Sequence, residues 1–286
     1  MISIAKDISN KLTVLQAEAL VDVARLAKEL GIPFFVVGAS ARDIIFGALF
    51  GIQTVRATLD LDLAVRVARW GQYQGLKERM IAEGGYTSDP VQLQRLNHKN
   101  GMVVDLVPFG PLEDPVGTVI WPPEHDIAMS TVGFEDALRS STEVVVAHNP
   151  DVSVRVCSPA ALAVMKLISW NDKYPARQRD AEDLMFLLKH YIELGNDHRL
   201  WDTDADIINE GNFDYELASA RLLGRDIRKI ISDATRDAIT AILTKEMDTE
   251  SRLRLVTDIA RARLGTAQHI LSLLDSIAHG ITETRP

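Results

Sequence analysis

The residues with the clearest chemical potential are two aspartates separated by one leucine, in the segment Leu59-Asp60-Leu61-Asp62-Leu63. Side chains alternate between the two faces of an extended strand, so Asp60 and Asp62 project to one side while the leucines project to the other. Two carboxylates held in this way can share a divalent cation. A surface strand with one polar and one apolar face would show the same alternation, and the short pattern alone favours neither interpretation.

A third aspartate lies in an apolar segment further along the chain. Residues 91–96 alternate between apolar and polar types, Asn100-Gly101 is typical of a two-residue hairpin, and residues 102–109 are predicted to be the returning strand. Asp105 interrupts this apolar strand. Burying a lone acid is costly unless it is paired, hydrogen-bonded or bound to a metal, so Asp105 needs a partner.

A strand, a turn of small residues and a helix precede the aspartates. Residues 34–37 are predicted to be a buried strand, and Gly38-Ala39-Ser40 forms the turn. The helix is predicted over residues 41–50, with Ser40 as its N-cap and Asp43 in its first turn. Backbone N–H groups above such a turn readily bind anions, although the same arrangement is common where no ligand binds.

The C-terminal half carries a lysine on an apolar helix. Ser158-Pro159 begins this helix, and residues 160–170 are apolar except for Lys166 and Ser169. The side chain of Lys166 could extend its amine to water along the apolar surface. It could equally reach a phosphate.

The next helix, which begins near residue 177, carries three acids. Its periodicity places Asp180 on the apolar face, Asp183 at the edge of that face and Glu182 away from it. An inward carboxylate requires a partner, and we expect this to be Lys166 or Arg179. The pair could position the lysine for chemistry or simply join the two helices.

Composition excludes several classes of protein. With 31 basic and 40 acidic residues and 47% hydrophobic residues, the 286-residue chain can bury a core but has no broad basic surface for nucleic-acid phosphates. The single Cys157 cannot form an intrachain disulfide. We find no signal peptide and no apolar run long enough to span a bilayer, so the sequence predicts a cytoplasmic protein without membrane contact.

The predicted elements change character near residue 157. Strands and helices alternate before it, and only helices follow, so we expect two domains, residues 1–157 and 158–286. The predicted fold class is α+β, with a mixed sheet flanked by helices and then a helical domain. The other predicted elements are helices over 13–30, 72–83, 214–231, 233–245 and 249–278, strands over 142–147 and 152–156, and an irregular connection between 109 and 130 that includes Glu124-His125-Asp126.

Four segments between residues 30 and 190 resemble the DNA polymerase β-like nucleotidyltransferase superfamily, and within it the AbiEii-type toxin nucleotidyltransferases. Two departures from the family pattern are present: Gly38-Ala39 replaces two adjacent glycines, and Arg42 and Asp43 resemble the RNA-tailing branches. The matching pieces are the turn Gly38-Ala39-Ser40, Thr58 with Asp60 and Asp62, the strand containing Asp105, and Lys166 with residues 179–184.

The resemblance implies a metal-dependent enzyme that moves a nucleoside monophosphate from a nucleoside triphosphate (NTP) to an acceptor. Asp60, Asp62 and Asp105 would hold two Mg²⁺ or Mn²⁺ ions. Gly38, Ala39 and Ser40 would hold the outgoing phosphates, Lys166 would add a positive charge near them, and Asp180 would position that lysine. The family further implies an RNA acceptor, with the 3′ end of tRNA expected, and control by an antitoxin.

Two alternatives remain open from the sequence. The acceptor could instead be a small hydroxylated molecule or a protein side chain. The chain could also be a non-catalytic nucleotide-binding protein that kept the fold, although three converging carboxylates are of little use to such a protein.

Overall fold

A computed structural model describes residues 6–54, 58, 60–209, 213–248 and 250–284. Leu59 of the aspartate segment and Thr249 at the start of a predicted helix lie outside these residues. The chain divides into two compact units, Met1–Ser158 and Pro159–Pro286, which we call the N-terminal and C-terminal units. The fold class is α+β, as predicted, with a mixed sheet and flanking helices in the N-terminal unit and helices in the C-terminal unit.

The N-terminal unit is built on an eight-stranded sheet with the strand order β1-β9-β10-β2-β3-β6-β5-β4, and β7 and β8 form a separate hairpin. Strands β3 and β6 are parallel, whereas β2 with β3 and β5 with β6 are antiparallel. In chain order the strands are β1 (Lys6–Asp7), β2 (Phe34–Val36), β3 (Asp60–Arg66), β4 (Tyr86–Ser88), β5 (Arg95–His98), β6 (Val103–Phe109), β7 (Thr118–Trp121), β8 (Ile127–Ser130), β9 (Thr142–Ala147) and β10 (Val152–Val156).

Among the described residues of this unit, four α-helices and one π-helical segment accompany the sheet. Helix α1 begins with a reciprocal capping box between Thr13 and Gln16, and it ends at Gly31, which takes the left-handed conformation at φ +64°. The helices are α1 (Val14–Leu30), α2 (Gly38–Asp43), α3 (Trp70–Gly84) and α4 (Phe134–Arg139), and the π-helical segment Ile44–Leu49 continues α2.

Strand β3 lies inside the sheet, between β2 and β6. Its inward residues Leu61 and Leu63 are buried, as are the register partners of Leu63, Val36 on β2 and Leu106 on β6. This apolar packing fixes which face of β3 is turned outward, because a shift of one residue would exchange the two faces.

The C-terminal unit consists of helices with short connections. Helices α8 and α11 approach closely where Gly224 faces Gly280: a Cβ atom at Gly224 would lie 2.3 Å from the backbone oxygen of Ile277. The helices are α5 (Pro159–Asp172), α6 (Gln178–His190), α7 (Asp206–Asn209), α8 (Tyr215–Ile230), α9 (Asp233–Met247), α10 (Arg254–Arg261) and α11 (Ala267–Thr282), with a 3₁₀ turn at Asp197–Trp201. None of the described helices combines the length and the apolarity that a bilayer crossing requires.

Three sequence predictions of secondary structure were wrong. The helix predicted over 249–278 is two helices, because Arg263 takes φ +60° and Thr266 caps α11. The strand predicted over 91–96 begins only at Arg95. The connection between 109 and 130 contains the β7–β8 hairpin, whose Trp121 packs against aromatic residues of α3.

Replacing Gly280 by alanine is expected to destabilise the C-terminal unit. The added Cβ would lie 2.3 Å from the backbone oxygen of Arg221 and 2.9 Å from the backbone nitrogen of Arg225, which move only with α8 itself. Overpacking of this kind costs about 1–3 kcal/mol, which calorimetry would record as a lower melting temperature. In the control Gly75→Ala the new Cβ meets nothing within 4 Å, so stability should hold or rise slightly. Equal melting temperatures for the two variants would contradict the close helix contact.

Candidate active site

The three predicted carboxylates lie on two adjacent parallel strands. Asp60 and Asp62 alternate with buried leucines on β3, and Asp62 is the register partner of Asp105 on β6. Residues directly opposite on neighbouring strands share a face, so Asp105 projects to the same side as the other two. The side chain of Asp60 is 40% exposed and that of Asp105 is 12% exposed.

The turn at Gly38 packs directly on Asp62. Gly38 has φ +64°, and a Cβ atom there would lie 2.1 Å from Oδ2 of Asp62, so both backbone conformation and space require glycine. The backbone N–H of Val37 donates to the carbonyl oxygen of Asp62 at 2.9 Å. This turn therefore sets the position of the second aspartate.

Ser40 has a different role from the one predicted. Its hydroxyl donates to the backbone oxygen of Asp60 at 2.7 Å and accepts from the backbone N–H of Asp62 at 3.3 Å. Because the buried hydroxyl is used in this way, Ser40 does not cap the helix, which instead begins at Gly38 with Val37 as N-cap. The side chain of Ser40 thus joins the turn to β3, and its role in holding the phosphates stays a prediction.

A chain of hydrogen bonds leads from the end of α2 to Asp60. The guanidinium group of Arg42 binds Oδ1 of Asp43, whose Oδ2 accepts the backbone N–H of Thr58 at 2.9 Å. The Thr58 hydroxyl then donates to Oδ1 of Asp60 at 2.8 Å. The hydroxyl residue that precedes the two aspartates thus orients the first of them.

Arg95 is the residue that the sequence analysis missed. Its Nε and Nη2 donate to the two oxygens of Asp105, each at 2.8 Å, and Nη2 also lies 3.4 Å from Oδ2 of Asp60. The hydrogen bonds to Asp105 are the main reason why the pKa of Arg95 is raised. We call this set of contacts from Arg95 to Asp105 and Asp60 the Arg95 bridge.

Hairpin register explains why Arg95 was missed. Arg95 pairs with Asp105, and His98 donates its N–H to the oxygen of Met102, so three residues lie between these hydrogen-bonded ends. The predicted two-residue loop would shift the pairing by one position and place Leu96 opposite Asp105. Gly101 is the last residue of the three-residue loop and takes φ +95°. A glycine at that place is typical of three-residue loops, and this was the sequence signal that could have identified Arg95.

The carboxylates are suitable ligands for a hard divalent ion, because such ions prefer oxygen. As the side chains stand, however, no group of three or more His, Cys, Asp or Glu residues within the described part of the chain could hold a metal ion. That Asp60, Asp62 and Asp105 share a metal stays a prediction. The guanidinium group of Arg95 contacts two of the three, Asp105 and Asp60.

In the C-terminal unit, Lys166 lies between two carboxylates. Its Nζ is 2.7 Å from both Oδ1 of Asp180 and Oδ2 of Asp183, and the Ser169 hydroxyl donates to Asp180 at 2.8 Å. Burial by itself disfavours the charged amine, but the attraction of both carboxylates outweighs it and raises the pKa of Lys166. The alternative in which the amine extends to water is wrong, since the lysine side chain is 9% exposed.

Two details of this cluster differ from the predictions. Asp180 does pair with Lys166, while Arg179 is exposed. Asp183, which was placed at the edge of the helix face, is as buried as Asp180. Residues three apart on a helix share a face, and helix α5 covers both positions.

Replacing Gly38 by alanine is expected to destabilise the N-terminal unit and displace Asp62. The positive φ and the 2.1 Å contact act together, and we expect a loss of about 1–3 kcal/mol in calorimetric unfolding. Gly47→Ala is the matched control from the adjoining π-helical segment, where a Cβ meets nothing within 4 Å. The role assigned to Gly38 fails if both variants melt at the same temperature.

Solved structures with weak overall similarity were found. The antibiotic-resistance factor ANT(2'')-Ia has 14% identity and a TM-score of 0.38, over 69% of this chain and 97% of its own. The lincosamide antibiotic adenylyltransferase LnuA has 16% identity and a TM-score of 0.36, over 60% of this chain and 96% of its own. The Thermotoga maritima CCA-adding enzyme has 10% identity and a TM-score of 0.26, over 96% of this chain and 84% of its own. No curated protein matches the chain.

Most of the sequence matches the model of one protein family. The matching family is described as "Nucleotidyl transferase AbiEii toxin, Type IV TA system", and the match covers residues 31–260, which include the carboxylates of both units. The chain therefore belongs to the AbiEii family of nucleotidyl transferase toxins and is an NTP-dependent nucleotidyltransferase.

Proposed function

We propose that this enzyme transfers a nucleoside monophosphate from an NTP to an RNA hydroxyl, with the 3′ end of tRNA as the acceptor, and that it acts as the toxin of a toxin–antitoxin pair. Membership of the AbiEii toxin family supports the toxin role and an antitoxin partner. Reaction with cellular tRNA would take place in the cytoplasm.

The observation that carries the proposal is the arrangement of carboxylates around the Gly38 turn. Asp60 and Asp62 alternate on β3, Asp105 lies in register with Asp62, and the first turn of α2 lies directly over Asp62. The first N–H groups of any α-helix lack intrahelical partners, which makes this turn suited to the phosphates of an NTP. Gly38 and Ala39 would contribute their backbone there, with Ser40 holding the turn on β3.

The residues of this chain would hold the reactants in line. During transfer the acceptor hydroxyl loses its proton, its oxygen forms a bond to the α-phosphorus of the NTP, and pyrophosphate leaves with the bonding electrons. Thr58 and Ser40 keep Asp60 and the backbone of Asp62 in fixed positions before substrate arrives. Preorganisation of this kind lowers the barrier because no reorganisation is needed during the reaction.

Asp60, Asp62 and Asp105 would hold the divalent metal, Mg²⁺ or Mn²⁺. When bound, the metal supplies positive charge that activates the attacking oxygen and neutralises the departing pyrophosphate. The net acidity of the chain does not oppose this chemistry, since the positive field is local.

Lys166 would serve the triphosphate, with Asp180 and Asp183 as positioning residues. A lysine amine held by two carboxylates is charged and has a restricted orientation. The three side chains carry a formal charge of minus one together, and Arg177 lies 4.0 Å from Asp180. One carboxylate could be neutralised there without leaving the lysine unpaired.

Transfer is tested with purified protein, Mg²⁺, each labelled NTP in turn and total cellular RNA. We expect label in RNA of tRNA size, and Asp60→Asn or Asp62→Asn should lower incorporation by roughly 10³-fold or more, because metal-borne charge stabilisation is worth several kcal/mol. The control Glu78→Gln, on the exposed side of α3, should keep full activity. Label in protein or in a small molecule would show that the acceptor is not RNA. Full activity of both aspartate variants would refute the assignment of the active site.

Asp180→Asn should lower turnover by roughly 10- to 100-fold, the scale on which outer partners that orient a functional group act. Its melting temperature should change little, because Asp183 still pairs with Lys166. Lys166→Met should be less stable, since it leaves two buried carboxylates without their cation. Glu182→Gln, in the same turn of α6, controls for the charge change. Normal turnover at low temperature combined with a large fall in melting temperature would assign Asp180 to the scaffold.

A further inference from the structure

The Arg95 bridge connects strands that are not neighbours. Arg95 lies on β5, its bidentate partner Asp105 lies on β6, and Asp60 lies on β3 beyond it. One guanidinium group thus spans three strands at the carboxylates.

We propose that Arg95 is a built-in counter-cation of the carboxylate cluster, and that it must release Asp60 before a divalent metal can bind. This inference rests on the proposed function, because it takes the cluster to be the metal site. Arg95 is thereby assigned a positioning and gating role, and no direct contact with substrate is implied.

The negative charge of the three carboxylates requires a cation beside them. Three carboxylates on one face of two adjacent strands repel one another, and a guanidinium group compensates one of the three negative charges. Arginine cannot be deprotonated in proteins, so the bridge cannot open by loss of a proton. Its side chain must move before a metal takes the position.

The two halves of the bridge have unequal geometry. Two hydrogen bonds of 2.8 Å hold Asp105 in the fork arrangement, which is the strongest pairing available to a carboxylate. The single contact to Asp60 is longer, at 3.4 Å. The Asp60 contact is therefore the one that opens first, and Thr58 keeps Asp60 oriented after its release.

A purely structural ion pair does not explain the Asp60 contact. Asp105 is mostly buried and needs compensation for its charge, which the fork provides. Asp60 is 40% exposed, and a partly exposed pair adds little to stability. The contact does, however, place a positive charge directly on the carboxylate that a metal would use.

The test is Mn²⁺ binding to the intact protein without NTP, measured by calorimetric titration of wild type and Arg95→Met. If the bridge is closed about nine-tenths of the time, the apparent affinity of the wild type is reduced about tenfold, so Arg95→Met should bind Mn²⁺ about tenfold more tightly. Arg66→Met is the matched control: it removes the same charge from β3 but breaks the pair with Glu135 instead. Its affinity should stay within about twofold of wild type.

The outcomes separate the inference from the proposed function. Tighter Mn²⁺ binding by Arg95→Met alone supports the bridge as a competitor of the metal. Unchanged or weaker binding overturns it and leaves Arg95 as a support for Asp105, while metal-dependent transfer still stands. Absence of Mn²⁺ binding in wild type and variant overturns both. If Arg95→Met does not fold, Arg95→Gln, which also removes the charge but can still donate a hydrogen bond to Asp105, is judged by the same criteria.

Discussion

Mutual repulsion among carboxylates is the constraint that the structure of the N-terminal unit must satisfy. Asp60, Asp62 and Asp105 project from one face of two parallel strands, and each is held by a different kind of contact. Asp60 accepts from the Thr58 hydroxyl, Asp62 lies beneath the glycine turn, and Asp105 receives the fork of Arg95. These contacts connect β3, β5, β6 and the start of α2.

The C-terminal unit meets the same constraint with the opposite arrangement. There one cation, Lys166, lies between two buried carboxylates, whereas in the N-terminal unit one arginine serves part of an acidic cluster that is partly open to solvent. Burial makes the lysine cluster rigid and costly to break. Exposure makes the contact between Arg95 and Asp60 weak enough to be exchanged. This difference fits a fixed positioning role for the Lys166 cluster and an exchangeable role for the Arg95 bridge.

Family membership and site geometry answer different questions. The match over residues 31–260 establishes the class of reaction. The geometry identifies what each side chain contacts: the hydroxyl of Ser40 binds the backbone of β3, while the phosphate role that the motif gives it stays a prediction. A motif position therefore indicates where a residue lies but not which of its atoms are available.

Interactions between residues a few positions apart, which can be read from the sequence, determined much of the secondary structure of this protein. Alternation placed Asp60 and Asp62 on one face, apolar runs predicted β9 and β10 with their observed ends, and the change near residue 157 predicted helices thereafter. Helical phase also turned Asp180 inward. These features depend on neighbours a few positions apart, which is the range over which periodicity acts.

Only the tertiary structure decided which side chains meet. The pairing of Arg95 with Asp105 depends on a loop of three residues where two were predicted, and one residue of register changes the partner of every position on the strand. The close contact between Gly38 and Asp62 joins positions 24 residues apart, and it exists because β2 and β3 pair antiparallel. Asp183 became buried because α5 covers the edge of its helix face. Register and helix packing are long-range properties, so, apart from the glycine that ends the three-residue loop, no local pattern indicates these contacts.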